Sequence, residues 1–105
     1  MMLTAPLMLM MLASPGSDVG NGRKAFTECL AAQTKPALDA KLPLADYQAT
    51  LKTKCGDKEA AFRAAILAAD KTDGLSAKDA QADADDQIAE YLDKFSSEYE
   101  DYLKP

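Results

Sequence analysis

Residues that favour β-strands are scarce in this chain, and their scarcity limits the possible folds more than any other feature. Three β-branched apolar residues occur among 105, namely Val19, Ile66 and Ile88. Alanine, the most favourable residue in a helix, occurs 20 times. Because β-branched side chains are the ones that pack well in sheets, a sheet protein would contain many more of them. The composition therefore predicts an all-α fold, and the length is enough for one domain.

The first 16 residues have the organisation of a signal peptide. All five methionines lie among the first 11 residues, and the run Leu3–Leu12 is apolar except for Thr4. Ser14 and Gly16 are the small residues that cleavage after Gly16 requires. The run is too short to cross a bilayer, which takes about 20 residues. However, no lysine or arginine precedes Arg23, so the basic residues that usually begin a signal peptide are missing. The alternative interpretation is that residues 1–16 form an N-terminal flap that packs on the domain.

These features predict three segments: a signal peptide over 1–16, a flexible leader over 17–22 and a single helical domain over 23–105. The protein would then be exported, to the periplasm or the medium, with no membrane span after processing. The two cysteines, Cys29 and Cys55, fit an oxidising compartment and predict one structural disulfide. A redox-active pair would need the Cys-x-x-Cys spacing or a site that stabilises a thiolate.

Apolar periodicity and stop signals divide the domain into helices. They are predicted over 23–34, 45–54, 58–72 and 77–103, with a further helical turn near Leu38. Pro36 is expected to end the first helix, and Gly56 to end the second in a left-handed cap. Asp73–Gly74 is a turn signal, and Ser76 is expected to begin the last helix. Short connections predict a small antiparallel three- or four-helix bundle with a long C-terminal helix and one disulfide.

The last predicted helix carries an apolar stripe that is long enough to extend beyond its neighbour. The stripe consists of Ala84, Ile88, Tyr91, Leu92, Phe95, Tyr99, Tyr102 and Leu103. The helix is about 40 Å long, whereas the helix over 58–72 is about 22 Å long. Either the earlier helices cover Tyr99, Tyr102 and Leu103, or these residues form an exposed patch that favours a partner or a homo-oligomer.

The opposite side of the same helix is acidic. At about 100° per residue, one side holds Asp79, Asp83, Asp86, Glu90, Asp93 and Asp101. From Asp79 onward nine acidic and two basic residues give a charge of −7, whereas residues 20–78, with seven acidic and ten basic residues, carry +3. Three interpretations are open: a solvated face that keeps the protein soluble, a docking surface for a basic partner, or a loose divalent-cation site.

Other classes of function lack a motif. The chain has no histidine, the commonest general base and metal ligand. The loop 70–76 resembles a calcium-binding loop only superficially, because Ala69 and Ala80 would occupy its first and last ligand positions. The acidic charge and the scattered bases do not favour nucleic-acid binding. We therefore predict no enzyme activity, no cofactor and no dedicated metal site.

The sequence predicts an exported helical module that binds another protein. The expected partner is an envelope or secreted protein with a basic surface, or a second copy of the chain. The alternative is a small-ligand or divalent-cation binding protein. The predicted partner-binding residues are Asp79, Asp83, Asp86, Glu90, Asp93, Tyr99 and Tyr102.

Overall fold

The computed structural model describes residues 15–105, and this part of the chain forms helices and no strand. The helices are α1 Pro15–Ala32, α2 Thr34–Asp39, α3 Leu44–Lys54, α4 Gly56–Thr72 and α5 Ala77–Leu103. Four of them have 11 residues or more, and α5 has 27. The predicted all-α fold with a long C-terminal helix is confirmed. Residues 1–14 of the predicted signal peptide lie outside the described residues.

Helix α1 begins earlier than predicted. Its backbone is helical from Pro15, so residues 17–22 are helical and do not form the expected flexible leader. Val19 packs against the core. Gly22 lies so close to α4 that an added Cβ would be 3.1 Å from the Cα of Phe62. Glycines lower the helix propensity of this segment, but its packing against α4 outweighs that preference.

Helices α1 and α4 are antiparallel and joined by the predicted disulfide. Cys29 near the end of α1 is bridged to Cys55, the residue before α4, with 5.8 Å between their Cα atoms. Towards the start of α1, the Phe26 ring lies 5.8 Å from the ring of Phe62, and Gly22 then contacts the same residue. Residues 22–29 of α1 therefore lie beside residues 55–62, at the start of α4.

Cys55 alone separates α3 from α4. Its φ of −108° and ψ of 14° turn the chain, and Gly56 is already the first residue of α4. The prediction that Gly56 forms a left-handed cap is wrong, because Gly74 is the described glycine with a positive φ. The disulfide holds the buried Cys55 side chain against α1.

Helix α5 packs against α4 with its first half and against α3 with its second half. In the first half, Arg63 Nη1 lies 2.8 Å from Asp85 Oδ1. In the second half, the ring of Tyr99 stacks on the ring of Tyr47, with 3.9 Å between their centres. The core that these helices enclose contains Phe26, Leu30, Ala37, Tyr47, Leu51, Cys55, Phe62, Ile66, Ala84, Ile88 and Tyr99.

The connection between α4 and α5 follows the predicted signals. Gly74 has a φ of +91°, which glycine adopts at little cost. The Leu75 N–H donates to the Asp70 carbonyl, and the Gly74 N–H donates to that of Lys71, both at 3.0 Å. These two bonds form a Schellman motif at the end of α4. The Ser76 hydroxyl then accepts from the Asp79 N–H at 3.1 Å and caps α5.

Candidate functional site

The acidic residues of α5 form an outward surface, which we call the acidic face: Asp79, Asp83, Asp86, Glu90 and Asp93. Asp83 is half-buried and the other four are exposed. The opposite side of α5 contributes Ala84 and Ile88 to the core. The 3.6-residue period thus correctly placed the acids and the apolar stripe on opposite sides of the helix.

Basic side chains do not neutralise the acidic face. Among residues 15–105, the ion pairs of α5 are Arg63 with Asp85 and Lys104 with Asp101, and neither acid belongs to the acidic face. No described lysine or arginine lies within ion-pair distance of a carboxylate of that face. The face therefore presents largely uncompensated negative charge to the solvent.

Asp83 differs from its neighbours because it lies beside Asp70 of α4. Gln87 Nε2 donates to both oxygens of Asp83 at 3.2 Å. Asp70 Oδ2 is buried, and no donor group among the described residues reaches it. The pKa of Asp70 is raised, first by the hydrogen bond that its protonated form makes to Asp83, then by burial, and then by the charges of Asp83 and Asp73. Gln87 orients the Asp83 carboxylate, which accepts from the protonated form of Asp70.

Tyr99 lies in the core and not on a surface. Its side chain is fully buried, its ring stacks on Tyr47, and its hydroxyl donates to the Leu42 carbonyl at 2.7 Å. Helix α3 therefore covers the first part of the segment that was expected to extend beyond its neighbour. This burial removes Tyr99 from the residues that can contact a partner in this fold.

Tyr47 is fully buried at the same end of the core as Tyr99. Tyr47 Oη and Thr34 Oγ1 are 3.0 Å apart and share a hydrogen bond. Burial raises the pKa of Tyr47, and the Thr34 hydrogen bond partly opposes the shift. The tyrosine is therefore neutral at physiological pH and contributes no charge to the α3–α5 contact.

The last two residues of the predicted apolar stripe are exposed. Tyr102 has 63% of its surface accessible and Leu103 has 44%. Both lie in the last turn of α5, beyond the part that α3 covers through Tyr99. Tyr102 is therefore placed where a partner or a second copy of the chain can contact it.

A groove that was not predicted lies at the other end of α5, where the chain turns from α4. Its volume is about 370 Å³, and it is lined by Leu67, Lys71, Leu75, Ala77, Ala80 and Gln81. Leu75 is 40% exposed. The sequence feature that could have indicated this groove is Leu75, which lies between the turn residue Gly74 and the capping residue Ser76. Periodicity does not register such a residue, because it lies between two helices.

Neither a metal site nor a membrane-spanning helix is found among the described residues. Residues 15–105 contain no group of three or more side chains placed to hold a metal ion. None of their helices combines the length and the apolar character that crossing a membrane requires. Comparison with models of known families, with curated proteins and with solved structures finds no match for this chain.

Proposed function

We propose that this protein is an exported helical module that binds a partner with a basic surface through the acidic face of α5. The observation that carries the proposal is the uncompensated charge of that face. The face lies on a helix whose opposite side is anchored in the core by Ala84, Ile88 and Tyr99. A fixed array of like charges attracts an oppositely charged partner and orients it during encounter.

The distribution of charge along the chain supports the same proposal. Residues 20–78 carry +3, and the chain from Asp79 onward carries −7. Solubility alone requires a net charge but no segregation of its signs. Since the acidic face is exposed, its attraction to a partner should weaken as salt is added.

Export is supported by the signal-peptide organisation of residues 1–16 and by the disulfide between Cys29 and Cys55. The test is the intact mass of the protein recovered from separated cell fractions. We expect a chain that begins at Ser17, with both cysteines oxidised, in the periplasm or the medium. A cytoplasmic chain that begins at Met1 and has two free thiols would contradict export.

The partner can be identified by lysine-reactive crosslinking in the cells that make the protein, followed by mass spectrometry of the linked peptides. Lys78 and Lys94 are exposed and adjoin Asp79 and Asp93 of the acidic face. A partner on this face should therefore be linked through these two lysines. Links between two copies through Lys104, near the exposed Tyr102, would instead support a homo-oligomer.

Charge-neutralising variants then test whether the acidic face carries the interaction. The test variant combines Asp86→Asn, Glu90→Gln and Asp93→Asn; it retains Asp83, which pairs with Asp70. The control combines Glu28→Gln, Asp46→Asn and Asp57→Asn, three exposed acids of other helices, and has the same net charge.

Each exposed ion pair contributes about 0.2–1 kcal/mol. Because the test variant loses three charges, it should bind the partner roughly three- to a hundredfold more weakly. Its affinity should also depend less on salt. Equal affinities of the two variants would contradict the role of the acidic face.

A further inference from the structure

The groove between α4 and α5 lies on the side of α5 opposite the acidic face. It is lined by Leu67, Lys71, Leu75, Ala77, Ala80 and Gln81. Its volume of about 370 Å³ falls within the range of about 300–1,000 Å³ that is typical of small-molecule sites. The groove is therefore large enough for a small ligand.

Four of the six residues that line the groove are apolar. Leu67 is half-buried, and the small side chains of Ala77 and Ala80 leave space between the helices. Leu75 is 40% exposed, and its N–H is bonded to the Asp70 carbonyl. A ligand that covers Leu75 gains the free energy of removing apolar surface from water, without first ordering the backbone.

The polar side chains at the groove are Lys71 and Gln81, and both offer hydrogen-bond donors. The Lys71 ammonium is a donor only. Gln81 Oε1 accepts from Arg63 Nη1 at 3.2 Å, so the NH₂ group of Gln81 remains available to donate. Because arginine has no acceptor, this contact determines which end of the amide faces Arg63. Two donors beside an apolar wall complement an anionic oxygen group attached to an apolar body.

We propose that this groove binds a small apolar monocarboxylate of the fatty-acid type. The apolar part lies against Leu67, Leu75 and Ala80, and the carboxylate faces Lys71 and Gln81. The site is separate from the acidic face, so the proposal does not depend on the protein-binding function.

The test is a titration of the full ¹⁵N-labelled chain with octanoate below its micelle concentration, followed by the backbone amide shifts. We expect saturable shifts at Leu75, Ala77 and Ala80. The neutral analogue 1-octanol should bind about two- to fivefold more weakly, because it forms no ion pair with Lys71. Absence of saturable shifts at the groove, or equal affinity for the two compounds, would overturn the proposal.

Two lysine variants separate a specific carboxylate contact from general attraction. Lys71→Gln should weaken octanoate binding about two- to fivefold and leave 1-octanol binding unchanged. Lys58→Gln, at the opposite end of α4, removes the same charge and should leave both affinities unchanged. Unchanged octanoate affinity in Lys71→Gln, or equal losses in both variants, would show that Lys71 does not bind the carboxylate.

Discussion

At the scale of single residues, the carboxyl groups of Asp70 and Asp83 have the most unusual surroundings. They belong to different helices and meet because the α4–α5 turn brings those helices together. Asp70 has one buried oxygen that no described donor reaches, and Asp83 accepts two hydrogen bonds from Gln87. Sequence periodicity assigned Asp83 correctly to the acidic face. It did not reveal the pair, because the contact depends on how two helices pack.

The contact between Asp70 and Asp83 is expected to increase the free energy of unfolding in mild acid. The pKa of Asp70 is raised in the folded chain, chiefly by its hydrogen bond to Asp83. The folded state therefore binds the proton more tightly than the unfolded state. The contribution is complete below the ordinary aspartate pKa of about 3.9, and it is lost as the pH rises through the raised value.

The measurement is urea unfolding between about pH 7 and about pH 4, the window above the ordinary aspartate pKa. Asp70→Asn should remove the contribution of the pair to the pH dependence of the unfolding free energy. Asp86→Asn, an exposed acid of the acidic face, is the control. If the two variants show the same pH dependence, the contact with Asp83 does not raise the pKa of Asp70.

At the scale of helices, α5 was predicted with the bounds that it has, because independent signals agree there. A turn glycine, a capping serine and a long apolar stripe all indicate the same helix. Helix α2 lacks such agreement. It ends at Asp39, and Lys41, two residues later, has a φ of +56°, where glycine is the usual residue. The carbonyl of the following residue, Leu42, accepts a hydrogen bond from the Tyr99 hydroxyl of α5. The turn at Lys41, which the local sequence does not favour, therefore lies next to a contact with α5.

The capping serine of α5 allows a direct measurement of one local contribution. Ser76→Ala removes the acceptor of the Asp79 N–H and should destabilise the protein by about 1 kcal/mol in urea unfolding. Ser97→Ala, at an exposed position within the same helix, is the control and should have a smaller effect. Equal losses in the two variants would mean that the cap contributes nothing measurable.

The close contact between α1 and α4 predicts different effects at two glycines of α1. At Gly20 an added Cβ meets nothing within 4 Å. Gly20→Ala should therefore stabilise α1 by up to about 1 kcal/mol. At Gly22 the added Cβ would lie 3.1 Å from the backbone of Phe62. Gly22→Ala should gain less than Gly20→Ala, and Gly22→Leu should destabilise the protein. Thermal unfolding of the three variants provides the test, and equal gains in both alanine variants would contradict the close packing.

At the scale of the whole molecule, the disulfide connects α1 to the α3–α4 junction. The bridge spans 26 residues, so the chain-entropy relation gives a stabilisation of about 3.5 kcal/mol. Reduction, or the pair Cys29→Ala and Cys55→Ala, should lower the unfolding free energy by about that amount. The reductant should have no effect on the double variant, which serves as the control. An unchanged unfolding free energy after reduction of the native chain would contradict a structural role.

The two candidate surfaces differ in how far the sequence could predict them. The acidic face requires only one helix with a regular period, so the sequence alone predicts its members. The groove requires two helices and the loop between them, so helical periodicity does not indicate its lining residues. Tyr99 shows an intermediate case. The apolar stripe predicts which side of α5 Tyr99 lies on. Its burial could not be predicted in the same way, because it depends on α3 packing against the second half of α5.

The most direct test of the proposed function is site-specific photocrosslinking in the cells that make the protein. A photoreactive residue is placed at Asp86 on the acidic face or, as a control, at Ala61, an exposed position of α4. We predict that one partner protein is captured from position 86, less of it when Glu90→Gln and Asp93→Asn are added, and little from position 61. Absence of capture at position 86, or equal capture at both positions, would contradict an interaction through the acidic face.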